Sequence, residues 1–570
     1  MENLRLILFS ALIFIGFLMW QAWQKDYPAT APVTASYDEA TSISGPGADS
    51  PSPQAQQAQT EEDVPTAPRD PAAAGQAPAD IARPEGGGSE ADPSSAAGVI
   101  RVETDVLRLE IDTRGGVIRT LELKEYPVSL EQPDVPVKLF QRSPSEFFVA
   151  QTGLLGEAFA PSHHDTFTSS TTEYVMDDGS DRLEVPLVAE SADGVRVVKT
   201  FVLERDSYVI DIVHEVENPA DTAPWQGRMY GQFQRTPPAG GRDMFFIYTY
   251  TGAILHTAED RYKKIDFEDM ASGAVSASTP GGWLAMIQHY FGSVWIPDAD
   301  ATNHFYTKAL GGNRFAAGAV TPTLAVEPGA AGRISMKLYA GPKVQERLAA
   351  AAEELDLIVD YGYLFIIAQP LWWALEFIHD FVGNWGWSIV LITLFIKLAF
   401  FKLSATSYRS MARLRKLQPK MVALKERYGD DKTKLNQAMM DLYKTEKVNP
   451  LGGCLPILVQ IPVFIALYWV LIETVELRQA DFMFWIKDLS AYDPYFVLPL
   501  IMGLTMFIQQ KLNPAPMDPL QQKIMMFLPV VFTVFFLFFP AGLVLYWVVN
   551  NTLSIAQQWV ITRKIEKEAG

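Results

Sequence analysis

The sequence predicts a membrane α-helical bundle joined to a large all-β domain. Three observations support this fold class. Long apolar runs are concentrated in the last third of the 570 residues, short strand-like alternations fill residues 99–343, and a basic segment at residues 404–450 separates two of the apolar runs. This pattern excludes collagen-like and fully disordered classes. The single cysteine, Cys454, also excludes an intrachain disulfide and a cysteine-based zinc site.

Residues 1–26 are predicted to be a retained transmembrane anchor with its N-terminus in the cytoplasm. An uncharged run, residues 6–23, follows Arg5 and is long enough to span a bilayer. The alternative is a cleaved signal peptide with Ala29-Thr30-Ala31 as the cleavage-like site, although a signal core usually has only about 7–15 residues. Residues 27–98 contain eleven acidic residues and two aromatics. They cannot bury enough apolar surface to become ordered, so a disordered linker is predicted.

Residues 99–343 are predicted to form a large β-sandwich outside the cytoplasm. Leu107, Leu109 and Ile111 alternate with polar residues, and many short strand-like runs are separated by turns rich in Gly and Pro. Such a pattern is typical of a sandwich. Arg235 and Arg242 flank one Pro- and Gly-rich turn and are interpreted as parts of an ordinary surface loop.

Six of the seven histidines lie in this β domain. No metal-ligand spacing and no nucleophile motif accompanies them, so the sequence predicts no metal site. The adjacent His163 and His164 lie in a polar stretch. They are interpreted as a solvated pair rather than as two ligands.

Residues 344–383 are predicted to contain a helix at 344–357 and an amphipathic helix at 361–382. The second stretch is apolar but carries Glu376, His379 and Asp380. If it crossed the bilayer, the next span would place the basic segment outside, against the positive-inside rule. We therefore predict that it lies in the interface on the outer face of the membrane.

Five further spans are predicted, which brings the total to six with the anchor. Residues 384–403 form span 2 and residues 451–561 form spans 3–6, with apolar runs at 385–401, 451–472, 495–508, 524–539 and 541–561. This topology places both termini and the short tail, residues 562–570, in the cytoplasm. Residues 24–383 lie on the other side.

The basic segment is predicted to be a cytoplasmic helical hairpin. Residues 404–447 hold eleven Lys and Arg against five acids, and apolar residues recur there at helical spacing. The charge has two interpretations: a solvated surface that sets topology, or a surface that meets anionic lipid or ribosomal RNA.

Lys397 is the most informative residue of the predicted spans, because a lysine at mid-bilayer costs about 2.5–3.5 kcal/mol on insertion scales. Its stem could snorkel to the cytoplasmic headgroups, or its charge could line a wet cavity. Thr393 lies one turn away on the same helix face. Polar residues elsewhere could simply tie helices together, but their number favours an inward-facing cavity. They are Gln460, Gln510, Tyr546, Asn550, Ser554 and Gln557.

Several long motifs follow one another along the chain. They are Met19-Trp20-Gln21-Ala22-Trp23, Thr113-Arg114-Gly115-Gly116, Val382-Gly383-Asn384-Trp385-Gly386, Asn449-Pro450-Leu451-Gly452-Gly453-Cys454, Val475-Glu476-Leu477-Arg478-Gln479 and Pro540-Ala541-Gly542-Leu543-Val544-Leu545-Tyr546-Trp547. Through these motifs the chain closely resembles the YidC membrane-protein insertases, the bacterial relatives of the mitochondrial Oxa proteins. Only the linker and parts of the β domain match loosely.

The resemblance implies an inner-membrane insertase and chaperone of a Gram-negative bacterium rather than an enzyme. Its fold would be a five-span core with a periplasmic β-supersandwich like that of sugar mutarotases. It would insert and help fold inner-membrane proteins, alone or with the Sec translocon. The implied partners are nascent membrane proteins, the ribosome, the Sec translocon with SecDF, and membrane lipids. No DNA, cofactor or metal is implied.

The resemblance also implies site residues. The groove's positive residue would be Lys397, joined by Thr393, Gln460 and Gln510, and the polar stripe adds Tyr546 and Asn550 to the groove. A hydrophobic slide that contacts the client would consist of Phe464, Met502, Phe535 and Trp547.

Three features depart from the family pattern. Lys397 replaces the usual Arg, so a point charge must suffice where a bidentate guanidinium is common. Lys402 replaces a frequent Pro, so no kink is expected there. The short tail argues against strong ribosome contact through the C-terminus.

Two rival functions stay open from the residues alone. A small-molecule transporter would use Lys397 for ion coupling, but the spans show no internal repeat or matched broken helices. A membrane-tethered carbohydrate enzyme would use the β domain, but no carboxylate pair or His–Glu arrangement is evident in the sequence. No Walker glycine loop is present, so an insertase would draw its energy from client burial and the membrane potential.

Overall fold

A computed structural model of the chain describes residues 63–65, 98–143, 146–238, 249–428, 431–446, 448, 455–513 and 519–568. These residues belong to one compact unit, Ala58–Gly570. The predicted anchor, most of the predicted linker and Arg242 lie outside the described residues.

Two β-sheets form the N-terminal part of the described chain. One has eleven strands in the order β13-β16-β17-β10-β5-β4-β3-β2-β1-β6, with β18 on β10, and the other has eight in the order β12-β11-β14-β15-β19-β9-β8-β7. The described strands are β1 Val99–Glu103, β2 Leu107–Asp112, β3 Val117–Ser129, β4 Gln132–Arg142, β5 Phe147–Gly156, β6 Glu173–Val175, β7 Arg182–Glu190, β8 Arg196–Glu204, β9 Val209–Glu217, β10 Trp225–Arg235, β11 Gly252–His256, β12 Lys263–Ile265, β13 Ser276–Pro280, β14 Trp283–Ile287, β15 Phe291–Ile296, β16 Thr302–Leu310, β17 Arg314–Val320, β18 Leu324–Val326 and β19 Ala331–Pro342.

The core of this domain lies between the two sheets. In β2, Leu107 and Leu109 are buried whereas the intervening Arg108 is exposed, as the alternation predicts. Phe233 of the larger sheet stacks on Trp295 of the smaller one, with 5.2 Å between ring centroids. The predicted all-β sandwich is thus confirmed.

A fully buried lysine explains the Gly115-Gly116 motif. Lys199 of β8 has no exposed surface, and its Nζ donates to the carbonyl oxygens of Gly115 at 2.8 Å, Gly116 at 2.9 Å and Thr152 at 3.1 Å. Both glycines have positive φ, 76° and 55°, which turns these carbonyls inward at little cost. The turn and the lysine therefore stabilise each other.

This lysine should make the β domain more stable as the pH rises. Burial lowers the pKa of Lys199 from 10.5 to about 7, so between pH 7 and 9 the unfolded chain keeps a proton that the folded chain loses. Stability should then rise by up to about 1.4 kcal/mol per pH unit. Urea titration of the full chain, followed by the strand signal in circular dichroism, measures it. Lys199→Met should remove the slope, and an unchanged slope in that variant would contradict the assignment.

The structure corrects two predictions about the β domain. His163 is buried, with 4% of its surface exposed, and desolvation lowers its pKa, so the solvated histidine pair is wrong. Arg235 is also buried, and its guanidinium lies 4.6 Å from the centroid of the Phe148 ring. It therefore belongs to β10 and the core rather than to a surface loop.

The helices of the described chain begin within the β domain and make up most of its C-terminal part. The predicted helix at 344–357 is interrupted, because the helix Gln345–Ala351 is followed by a separate 3-10 turn at Leu355–Ile358. The α-helices are α1 Phe267–Ser272, α2 Gln345–Ala351, α3 Phe365–Val382, α4 Trp385–Ala399, α5 Phe401–Tyr428, α6 Lys432–Thr445, α7 Leu455–Glu473, α8 Val497–Leu512, α9 Pro519–Phe536 and α10 Ala541–Glu568.

Local caps and a small apolar cluster fix several of these helices. Asn384 caps α4, since its Oδ1 accepts from Trp387 N at 3.0 Å. Asp431 caps α6 through the backbone N–H of Lys434 at 3.0 Å. Helices α5 and α6 pack together through a buried cluster that includes Leu417 and Met439.

The chain bends sharply between α4 and α5. Within the described residues, length and apolarity sufficient to cross a bilayer occur only in the α4–α5 pair taken together, and that pair is bent by 67°. Lys402, where no kink is expected, lies within α5, and the bend lies two residues earlier, at Phe400. No proline lies at the break, and Gln557 Nε2 of α10 donates to the Phe401 carbonyl oxygen beside it at 3.2 Å.

A buried junction joins the β domain to the helices. Lys343 Nζ lies 2.9 Å from Glu473 Oε2, at the end of α7, and their side chains are 1% and 4% exposed. Arg478 Nη2 and Gln479 Nε2 donate to the Pro127 carbonyl oxygen at 2.6 and 2.9 Å. The Arg478-Gln479 motif therefore holds β3 against the helical part.

Candidate functional site

The helical bundle is closed at the end nearest the β domain. The carboxylate of Asp493 is buried and accepts from Trp485 Nε1 at 2.9 Å and from Leu498 N at 2.7 Å. The backbone N–H of Ala541, at the start of α10, donates to the Ala491 carbonyl oxygen at 2.7 Å. These bonds seal the loop between α7 and α8 onto the start of α10.

Lys397 lies far from this closed end. It is twelve residues into α4, roughly 18 Å along the helix axis. Its Nζ donates to Ser554 Oγ of α10 at 2.7 Å, and Ser554 Oγ in turn donates to the Asn550 carbonyl oxygen at 2.7 Å. Only 8% of Lys397 is exposed. The ammonium thus reaches across to α10.

No acid neutralises this ammonium in the part of the chain that the structure describes. Among the described residues its hydrogen-bond partner is the Ser554 hydroxyl, and no Asp or Glu forms an ion pair with it. An ammonium carries three donors, so it keeps the capacity to bind an arriving carboxylate. The site supplies a positive charge at low dielectric rather than a nucleophile.

The other predicted polar residues take different places. Thr393 is buried on α4, and its Oγ1 donates to the Ile389 carbonyl oxygen at 2.6 Å, within its own helix. Gln460 of α7 donates through Nε2 to Ser404 Oγ of α5 at 3.4 Å. Gln510 is half-buried near the end of α8. These residues border the bundle end that holds Lys397, but none contacts its ammonium directly.

Helix α10 carries two polar rows where the sequence indicated one. Tyr546 is buried and Asn550 is half-buried on the predicted row, with Ser554. The second row contains Asn551, whose Nδ2 lies 3.4 Å from Thr505 Oγ1, and Gln558, whose Nε2 donates to the Leu512 carbonyl oxygen at 3.2 Å. Their seven-residue spacing was the signal that could have identified this row.

Three of the four predicted slide residues, Phe464, Phe535 and Trp547, belong to an aromatic cluster. The fourth, Met502, is fully buried. Phe464 of α7 stacks on Tyr546 at 5.8 Å and meets Trp547 edge-on at 4.9 Å, measured between ring centroids. Phe535 and Trp547 are half-buried. Met502 has no exposed surface, so in this structure it packs behind the cluster.

The outer surface of α5 adds positive charge beside this bundle end. Its exposed basic residues include Arg413, Arg415, Lys416 and Lys420. Together, these residues place the Lys397 cation inside the bundle, with polar groups nearby. The aromatic cluster lies beyond these groups, and the basic surface of α5 lies beside them. These groups can attract an acidic polar segment of another chain and can offer apolar contacts to the apolar segment that adjoins it.

Two family profiles match the chain over nearly its whole described length. The profile described as the YidC periplasmic domain matches residues 99–374, and the one described as the 60Kd inner membrane protein matches residues 377–568. Their border falls within α3.

Relatives of high identity match over the full chain. A protein of Nitrosococcus oceani is 50% identical, covering 100% of both chains, and one of Methylococcus capsulatus is 52% identical, covering 100% of this chain and 99% of its own. Both are named "Membrane protein insertase YidC". These names denote an insertase rather than an enzyme or a small-molecule transporter.

A solved structure described as an active YidC insertase with its first transmembrane domain resolved also aligns. It is 20% identical, covers 81% of this chain and 94% of its own, and gives a TM-score of 0.37.

Proposed function

Since this chain belongs to the YidC family of membrane protein insertases, we propose that it inserts its clients through a groove around Lys397. The client's polar segment, often acidic, would enter the groove from the cytoplasm. Its apolar segment would move along the aromatic slide into lipid. Location in the inner membrane follows from the family.

The unneutralised ammonium of Lys397 carries this proposal. Keeping a lysine away from water costs about 2.5–3.5 kcal/mol at mid-bilayer on insertion scales, and its hydroxyl partner Ser554 recovers only part of that cost. A client carboxylate would recover more, because hydrogen bonds between charged groups are about twice as strong as neutral ones. The charge therefore favours a transient acidic occupant.

Burial of the client supplies the driving force. Transfer of apolar surface out of water contributes about 25 cal/mol per Å², and the cluster around Phe464 offers rings to that surface along the way. The membrane potential adds to this because it favours outward transfer of negative charge. No nucleotide-binding motif is needed for such a step.

Short helices would reduce the distance that the polar segment must cross. Helix α4 has 15 residues and α8 has 16, which is roughly 22–24 Å at 1.5 Å per residue, against a hydrocarbon thickness of about 30 Å. Short spans thin the bilayer locally. A thinner bilayer beside a polar groove that reaches halfway into it lowers the free-energy barrier to moving the client's polar segment across.

The topology and the partners belong to the same proposal. Six spans, with both termini and the α5–α6 hairpin in the cytoplasm, keep the basic residues inside. The exposed cations of α5 suit anionic lipid or ribosomal RNA. We assign cooperation with ribosomes, the Sec translocon and SecDF on the family resemblance.

Site-specific photocrosslinking tests the slide. A photoreactive residue at Phe535 of α9 should crosslink to the apolar segment of a ribosome-stalled client, as should one at Phe464. Phe527 lies two turns earlier on α9 and is 62% exposed, so it serves as a matched control facing outward. We expect a severalfold higher yield at Phe535 than at Phe527. Equal yields would show that clients follow another path.

A further inference from the structure

Three potential metal ligands meet on the β domain, far from the groove. His164 Nε2 lies 2.8 Å from Asp63 Oδ1, and His163 Nε2 lies 3.2 Å from Asp63 Oδ2. One donor atom from each residue falls within 4.8 Å of the other two. Among the described residues no other group of three His, Cys, Asp or Glu side chains meets that spacing.

One of the donor atoms is buried and has no hydrogen-bond partner. His163 Nε2 makes no hydrogen bond in the described structure, because the 3.2 Å approach to Asp63 has poor geometry, and the side chain is only 2% exposed. A buried polar atom without a partner costs about 1–3 kcal/mol. An ion bound between the imidazole and the carboxylate would remove that cost.

The opposite ring nitrogen is already held by a hydroxyl. His163 Nδ1 lies 2.6 Å from Tyr230 Oη in β10. With a proton on Nδ1 donated to this oxygen, the lone pair of Nε2 points at Asp63. Metal-binding histidines are commonly oriented by a hydrogen bond at the other nitrogen, so Tyr230 is the positioning residue.

The loop that carries the two histidines is held in place by its contacts with Gly115 and Arg114. A Cβ on Gly115 would lie 2.1 Å from the His163 carbonyl oxygen, so the glycine lets the two backbones touch. Arg114 Nε donates to the His164 carbonyl oxygen at 3.3 Å. The donor atoms therefore sit on a preformed loop, which lowers the cost of binding an ion.

The carboxylate is held from the sheet side. Gln234 Nε2 donates to Asp63 Oδ2 at 3.0 Å, and Gln232 Nε2 donates to the Asp63 carbonyl oxygen at 2.9 Å. Asp63 comes from a segment that precedes β1 by more than thirty residues, yet it reaches β10. The contacts that hold this short segment on the sheet are thus two amide donors and His164 Nε2, which lies 2.8 Å from Asp63 Oδ1.

We propose that Asp63, His163 and His164 bind one divalent transition-metal ion, of which Zn²⁺ fits best, and that the ion fastens residues 63–65 to the larger sheet. Two imidazole nitrogens and one carboxylate oxygen are a frequent zinc ligand set, completed by a water molecule. Hard cations such as Mg²⁺ prefer oxygen ligands and are disfavoured here. The competing arrangement is a purely hydrogen-bonded Asp–His–His contact.

Metal titration of the full chain decides between the two. Untagged protein in detergent is stripped with a chelator and titrated with Zn²⁺ by calorimetry and with Co²⁺ by visible absorption. Wild type should bind one ion per chain, with a Co²⁺ spectrum typical of mixed nitrogen and oxygen ligands. Asp63→Asn and His164→Gln should lose this site, and both are mild changes outside the sheets.

Two further variants sharpen the result. His304→Gln alters a histidine elsewhere in the β domain, on β16, and should bind like wild type. Tyr230→Phe removes only the orienting hydroxyl and should weaken binding by about 10–100-fold. Absence of binding in wild type, or wild-type affinity in both Asp63→Asn and His164→Gln, would overturn the proposal in favour of the hydrogen-bonded contact.

Discussion

Lys397→Ala is expected to slow insertion of single-span clients by about 10–100-fold, because a hydrogen bond to a charged group contributes about 1.5–3 kcal/mol. The substitution should reduce insertion activity without reducing the stability of the fold. Ser554 Oγ keeps its acceptor, the Asn550 carbonyl oxygen, after the lysine is removed. Lys397→Met, which preserves the apolar stem, should behave like Ala, and Lys397→Arg should retain most activity.

Cell-free translation into proteoliposomes that contain each variant measures this effect. The matched control is Lys402→Ala, since Lys402 lies five residues on and is exposed. It should insert clients at the wild-type rate. If Lys397→Met inserts every client as fast as wild type, the groove does not depend on the charge and the proposed function must lose that element.

Lys343→Met is expected to destabilise the full chain by about 3–5 kcal/mol, because it leaves a buried carboxylate without its partner. Glu473 is 3% exposed, and the Lys343 ammonium is its ion-pair partner across the junction. The double variant with Glu473→Leu should recover most of the loss, since an apolar pair can replace a buried ion pair at little net cost.

Denaturant titration of the detergent-solubilised chain measures both variants. The pair Arg261–Glu354 is the control, because the Arg261 side chain is 68% exposed and exposed ion pairs contribute about 0–1 kcal/mol. Arg261→Met should therefore have little effect. A Lys343→Met protein as stable as Arg261→Met would show that the junction is not held by its ion pair.

The sequence best predicted the features that depend on a single strand or helix. The alternation at Leu107 and Leu109 predicted a strand with one buried face, and the apolar runs overlap helices α4 and α7–α10, whose ends differ from the predicted ones by up to seven residues. Lys397 stood out because its charge is expensive in any apolar helix. These inferences required only local chemistry.

The sequence could not predict features that depend on contacts between residues far apart in the chain. His163 looked solvated among polar neighbours, but Tyr230 lies 67 positions away and Asp63 a hundred positions earlier. The bend at Phe400 lies beside a contact with a distant helix, the hydrogen bond from Gln557 Nε2 to the Phe401 carbonyl oxygen. The second row on α10 was missed although Asn551 and Gln558 lie seven residues apart, because the groups that they contact belong to another helix, α8. Pairings of this kind become visible only once the chain is folded.

The bend after α4 also bears on which clients fit. The chain turns aside by 67° directly after the turn that contains Lys397, so the α5–α6 hairpin does not continue the axis of α4 over the ammonium. If clients enter beside Lys397 as proposed, they would approach from the side of the bundle rather than along the axis of α4. A client folded back on itself could be admitted by its middle, with neither end of its chain free.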